Sequence, residues 1–231
     1  MSCLRDGFRL AAMAACLSGV AVCNALVYSD NFDDNMLDSS LWSLGQQGGP
    51  WVAEGNELGV FFPATSSGND MYAGVASVFS LVGDFDVSVD FHLRSWPPNN
   101  GIRVGLVIPN YIGVERTDLF GFETYLTDTA GGLSMVPTED RDGSMRVTRV
   151  GGTVSGFAWI SGGWQLIGSH NGLSSTPTEC WLRVWSHDWA FGHQDAYPTF
   201  DNFLAVDSAV PEPATWLTLG SLALIFRHRR R

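Results

Sequence analysis

The chain predicts an all-β, antiparallel sandwich, and three observations carry that reading. Apolar and polar residues alternate strictly over several short stretches, glycine-rich turn sequences recur between them, and no window of a dozen residues between 26 and 210 holds a helical period. Two apolar stretches at the chain ends stand apart from this pattern and are expected to flank the sandwich rather than join it.

In chain order, the first element is a leader. Arg5 and Arg9 precede an apolar run from Leu10 to Cys23, and Cys23-Asn24-Ala25 is a small-x-small cleavage site, so residues 1–25 read as a signal peptide. The domain expected over residues 26–210 carries 22 acids and seven arginines, a net charge of −15, and no lysine. Such a surface keeps an exported protein soluble and argues against nucleic acid as a partner, because phosphate binding needs a basic patch. Cys180 is the one cysteine beyond the leader; beside Trp181 in an expected strand it reads as a small buried hydrophobe rather than a nucleophile or zinc ligand.

Within the domain, Phe85, Val87, Val89, Phe91 and Leu93 share one strand face, with Asp84, Asp86, Ser88, Asp90 and His92 on the other. Ile102, Val104, Leu106 and Ile108 repeat the pattern. Further strands are expected at Val75 to Leu81, Phe120 to Leu126, Met145 to Arg149, Phe157 to Ile160, Trp164 to Ile167 and Trp181 to Trp185. Between them lie turn compositions such as Pro97-Pro98-Asn99-Asn100-Gly101, Gly151-Gly152 and Gly162-Gly163.

Residues 211–231 close the chain with three parts: Pro211-Glu212-Pro213, an apolar run of 13 residues from Ala214 to Phe226, and the basic tail Arg227, His228, Arg229, Arg230 and Arg231. The prolines stop any helix from crossing them, and the run, as a short helix, falls below the roughly 17–25 residues of a stable membrane span. The order of the three parts resembles the PEP-CTERM sorting signal of Gram-negative, exopolysaccharide-making bacteria. That resemblance implies transient retention in the inner membrane, cleavage by the protease exosortase, and delivery to the cell surface or extracellular matrix.

A second resemblance spans nearly the whole domain. Asp30-Asn31-Phe32-Asp33-Asp34 and Leu37-Asp38-Ser39-Ser40-Leu41-Trp42 at its start are similar to the opening of concanavalin A-like (laminin G-like) jelly rolls. The run from Met145 to Ile167 is similar to their hairpins, and Phe200-Asp201-Asn202-Phe203 to their closing strand. Catalytic members among endo-β-glucanases carry Glu-x-Asp-x-x-Glu on one strand; this chain lacks that string, and Glu115, Asp118 and Glu123 are its nearest approach, with the first two on opposite strand faces. The sequence therefore reads as a non-catalytic, glycan-binding module. The other readings are a polysaccharide hydrolase or lyase with an unrecognised site, and a purely structural matrix protein.

Two candidate sites follow. Aromatic rings flanked by hydrogen-bonding groups suit a polysaccharide, which selects Trp96 in its proline-rich loop together with Trp185, His187 and Trp189; Trp42, Trp164 and Trp181 are expected in the core. Asp30 and Asp33 near the first strand and Asp201 on the last would meet in a jelly roll, and their hard oxygens suit structural Ca²⁺.

Overall fold

The computed structural model describes residues 25–110, 112–119, 121–129, 132–172 and 176–208. The expected signal peptide, apart from Ala25, lies outside the described residues, as do Pro211, Glu212, Pro213, the short apolar helix and the basic tail.

Among the described residues fifteen strands follow one another: β1 Ala25–Asp30, β2 Trp42–Gln47, β3 Trp51–Glu54, β4 Leu58–Phe61, β5 Met71–Ser77, β6 Phe85–Ser95, β7 Arg103–Ile108, β8 Ile112–Leu119, β9 Phe122–Thr129, β10 Gly132–Pro137, β11 Asp142–Val150, β12 Thr153–Ile160, β13 Gly163–Asn171, β14 Trp181–Ser186 and β15 Tyr197–Ser208. They form two antiparallel sheets. The first runs β13-β12-β11-β6-β15-β4-β3, with β1 also paired to β15; the second runs β10-β9-β8-β7-β14-β5-β2. The predicted sandwich is observed.

The alternation places the core. Phe85, Val87, Val89, Phe91 and Leu93 of β6 are buried, as are Val104, Leu106 and Ile108 of β7 and Leu182 and Val184 of β14. Phe200 and Phe203 are both buried although three residues apart, which a regular strand forbids. The register of β15 slips between Asp201 and Leu204, and Asn202 sits at φ 50°, so one extra residue returns Phe203 to the inner face. Cys180 is fully buried, donates its backbone N–H to Ser77 Oγ at 3.0 Å, and has its thiol pKa pushed up to about 12 by burial.

Two expectations change. The strand predicted over Phe120 to Leu126 starts later, as β9 from Phe122, because β8 ends at Leu119 and Gly121 turns at φ 78° between them. Trp96, expected exposed in its loop, is 7% exposed and belongs to the core; its Nε1–H donates to Glu123 Oε2 at 3.3 Å. The prolines after it end β6 without turning the indole outward, because a buried carboxylate-bearing hairpin, β8–β9, receives it.

Candidate functional site: the outer face of the second sheet

Cross-strand register builds this face row by row. In one row, Trp185 stands between Arg103 and Tyr72; in the next, Arg183 stands between Gly105 and Gly74, with Glu115 beyond Gly105 and Gly45 beyond Gly74; in a third, Trp181 stands between Val107 and Ala76. The residues Trp181, Arg183 and Trp185 share a face by the period-two rule, so β14 alone supplies two indoles and a guanidinium.

Glu115 is the central carboxylate. It is 5% exposed, accepts a hydrogen bond from Trp185 Nε1–H at 2.6 Å, and pairs with Arg103 at 3.3 Å. Burial raises its pKa above the ordinary carboxylate value, while Arg103 and the Trp185 hydrogen bond oppose the shift. Gly105 makes room for it: a Cβ there would stand 2.6 Å from Glu115 Cγ. Asp128, an exposed acid of β9, lies one row away, since Gly113 faces Asp128 and Glu115 faces Leu126. Both acids line one cavity of about 240 Å³ together with Arg103, Arg183 and Trp185.

Arg103 lies over the Trp185 ring at 4.5 Å. The aromatic ladder continues past the strand end: His187 meets Trp185 edge-on at 5.0 Å and stacks on Trp189 at 5.6 Å, with its Nδ1 2.9 Å from Asp70. Trp189 is 65% exposed. Of the aromatic candidates, the structure brings Trp185, His187 and Trp189 together and leaves Trp96 in the core. Trp42 is in the core as expected, whereas Trp164 and Trp181 are half-buried on outer faces. Sequence reasoning passed over Trp181, Arg183, Tyr72 and Arg103. The signal available was the alternation Trp-x-Arg-x-Trp in β14.

The acids expected to hold calcium do not meet. Asp30 is occupied by the Phe32 N–H at 2.9 Å and Trp42 Nε1–H at 2.8 Å, and Asp33 accepts from Asn31. Asp201 instead joins Glu57 and His92 on the outer face of the first sheet, with ligating atoms within 4.8 Å of one another. That trio is already engaged: Arg94 and Thr199 Oγ1 donate to Glu57, His92 Nδ1 is 2.7 Å from Asp142, and Asp201 caps the Asn202 N–H. Near Asp30, however, Glu54 has its pKa raised to about 7, first by burial, then by a hydrogen bond shared with Asp34, and less by the charges of Asp30 and Asp34; the Met36 N–H donates to both Asp34 and Glu54 at 3.0 Å.

No family model matches the chain, and no curated protein sequence matches it. Solved structures do. The Crh5 transglycosylase in its apo form superposes with a TM-score of 0.58 at 15% identity, covering 80% of this chain and 85% of that one. A β-1,3-glucanase from Mycobacterium marinum gives 0.54 at 11% identity, covering 78% and 97%. A glycosyl hydrolase family 16 protein from Mycobacterium smegmatis gives 0.55 at 10% identity, covering 78% and 98%. The fold is shared with these enzymes. The expectation of a non-catalytic domain is corrected accordingly: it rested on a missing acidic string, whereas the architecture is one that glycosyl hydrolases and transglycosylases use, and the outer face of its second sheet carries a buried carboxylate.

Proposed function

We propose that the domain is a secreted glycan-processing enzyme of the glycosyl hydrolase or transglycosylase type, acting on a polysaccharide laid across the outer face of the second sheet. The observation that carries this reading is Glu115, a carboxylate 5% exposed at the centre of an aromatic-lined surface. A raised pKa suits Glu115 to hold a proton and deliver it to a glycosidic oxygen. Asp128, which lines the same cavity, supplies the second carboxylate, to activate the attacking water or sugar hydroxyl. Trp181, Trp185 and Tyr72 offer ring faces to the sugars, and the cavities beside Arg183 are open grooves, suited to an internal stretch of chain rather than a chain end.

The test is turnover of a panel of polysaccharides by reducing-end release and product sizing. Glu115→Gln and Asp128→Asn are each expected to lower turnover by about 10²–10⁴-fold with unchanged melting. Full activity in Glu115→Gln would overturn the assignment.

Export is part of the same proposal. The leader, Pro211-Glu212-Pro213 and the tail Arg227, Arg229, Arg230 and Arg231 support processing by exosortase, passing through the inner membrane to the surface or matrix. Intact mass of surface material should lack both ends; finding Arg229-Arg230-Arg231 on it would refute this. As for calcium, the acids proposed to hold a cation are Asp34 and Glu54 beside Asp30, because the two carboxylates lie close enough to share the Met36 N–H and a cation would offset their mutual repulsion.

A further inference from the structure

Six of the seven arginines in the domain have acceptors. Arg94 pairs with Glu57, Arg103 with Glu115, Arg116 and Arg141 with Glu123, and Arg146 with Asp86, while Arg149 donates to the carbonyls of Gly83 and Thr176. Arg183 has no hydrogen bond and no ion pair among the described residues, and its Nε is buried without a partner. Aromatic rings hold it instead: Tyr72 at 4.7 Å, Trp185 at 5.2 Å and Trp181 at 5.9 Å from the guanidinium carbon. Burial pulls its pKa below the ordinary arginine value, with Glu115 the largest opposing influence. A buried donor without an acceptor costs stability, and an apolar side chain of the same length would not incur that cost. Stability therefore does not explain this arginine.

The space beside it has a definite shape. A cavity of about 300 Å³ opens over Gly45, Gly74, Tyr72, Trp181 and Arg183. Gly45, Gly74, Arg183 and Gly105 are successive partners across four strands, so the floor carries no side chain toward Gly74 and Gly45, while Glu115 covers Gly105 on the other side of the guanidinium. Trp181 Nε1 is a second buried donor without a partner. Flat rings, a trough without side chains, and two unused donors, one of them a cation, together suit a sugar ring bearing an anionic oxygen group. A planar guanidinium binds such a group through a fork of parallel hydrogen bonds.

We propose that Arg183 forms a subsite for the anionic group, a carboxylate or a sulfate ester, of an acidic polysaccharide, on the sugar adjacent to the one processed at Glu115. This rests on the glycan-processing reading and names its substrate class. The full-length chain has a net charge of −11, which opposes nonspecific retention of a polyanion, and its basic tail is common to wild type and variants, so the retention lost on changing Arg183 reports the subsite.

The experiment is affinity electrophoresis of the full-length protein in gels containing a polyuronate, a sulfated galactan or a neutral β-glucan, with turnover and melting measured on the same samples. Wild type is expected to be retarded by one or both polyanions at least tenfold more strongly than by the neutral glucan; which of the two retards it distinguishes carboxylate from sulfate. Arg183→Met is expected to lose that preference, and Arg183→Lys to keep part of it. Equal retention by charged and neutral glycans in wild type, or a preference that survives Arg183→Met with an unchanged melt, overturns the proposal; the wild-type comparison decides even if the variant unfolds. Glu115-dependent cleavage of neutral glucan without polyanion binding would refute the acidic subsite and keep the enzyme. Arg183-dependent binding of a polyanion without cleavage of any glycan would do the reverse.

Discussion

The two outer faces of the sandwich are both polar, yet they are opposites in how their charges are matched. On the first sheet the groups answer one another: Arg146 binds Asp86, Arg94 binds Glu57, His92 meets Asp142, and Asp90 accepts from Ser144 and Asn202. On the second sheet the large rings are only partly covered, glycines leave gaps between strands, and the Arg183 guanidinium makes no ion pair or hydrogen bond among the described residues. A face whose hydrogen bonds are internally complete has nothing left for a ligand, while one holding desolvated donors beside partly exposed rings keeps donors that a ligand could use. Burial of polar groups thus means different things on the two faces, and the difference lies in the partners rather than in the exposure.

The sharpest way to break this comparison is through the tryptophans. Trp96→Ala should cost about 3–5 kcal/mol of stability, as a large core deletion does, and leave glycan retention intact at temperatures where the variant is folded. Trp185→Ala should show the opposite balance, with retention falling by roughly 2 kcal/mol or more in affinity and a smaller change in melting. Thermal melts and affinity electrophoresis on both variants check it; equal behaviour would erase the distinction between core and site. A smaller effect is expected on the first sheet, where Arg146→Ala removes a half-exposed ion pair worth about 1 kcal/mol or less, seen in chemical denaturation at low and high salt. A large loss of activity there would mean the faces have been assigned the wrong way round.

The smallest effect is one of pH. Glu54 has its pKa raised in the folded state from the ordinary 4.5 to about 7, so the fold favours its protonated form. Its favourable contribution is complete below about pH 4.5 and is lost as pH climbs through about 7. Glu54→Gln should therefore melt higher than wild type at pH 8 and match it near pH 4.5. Calcium should raise the wild-type melt at pH 8 and move Glu54→Gln less, since a ligand bound only to the folded state stabilises it. A calcium response equal in both proteins would place the ion elsewhere.

Much of the architecture was legible because β6 and β7 each bury one face against the other sheet and show water the other. The site was not, and β8 explains why. Its stretch Glu115-Arg116-Thr117-Asp118 is polar at four successive positions and nearly buried at all four. Arg116 points between the sheets, donating to the Asp140 carbonyl and pairing with Glu123, while Glu115 is covered on the outer face by Arg103 and Trp185. Period two survives in the geometry and vanishes from the polarity, so the strand reads as a loop and its acids as solvated. Parity placed Glu115 and Asp118 on opposite faces in the sequence, and the register agrees, but the neighbour that matters to Glu115 is Asp128, on another strand. Trp96 was misread for the converse reason: its prolines describe the backbone after it, whereas its indole is governed by Glu123, 27 residues on.

β15 is the last strand in chain order, yet it lies inside the first sheet, with β6 along one edge and β4 and β1 sharing the other. Until it arrives, those three strands keep unpaired edges and the sheet exists in two pieces. Assembly of this sheet is therefore governed by β15: β1 waits for residues 203–208, and the pairing of Ala25 with Ser208 closes a loop of nearly the whole domain. Such long-range closure folds slowly. A polypeptide that cannot complete its first sheet before β15 emerges stays threadable until then.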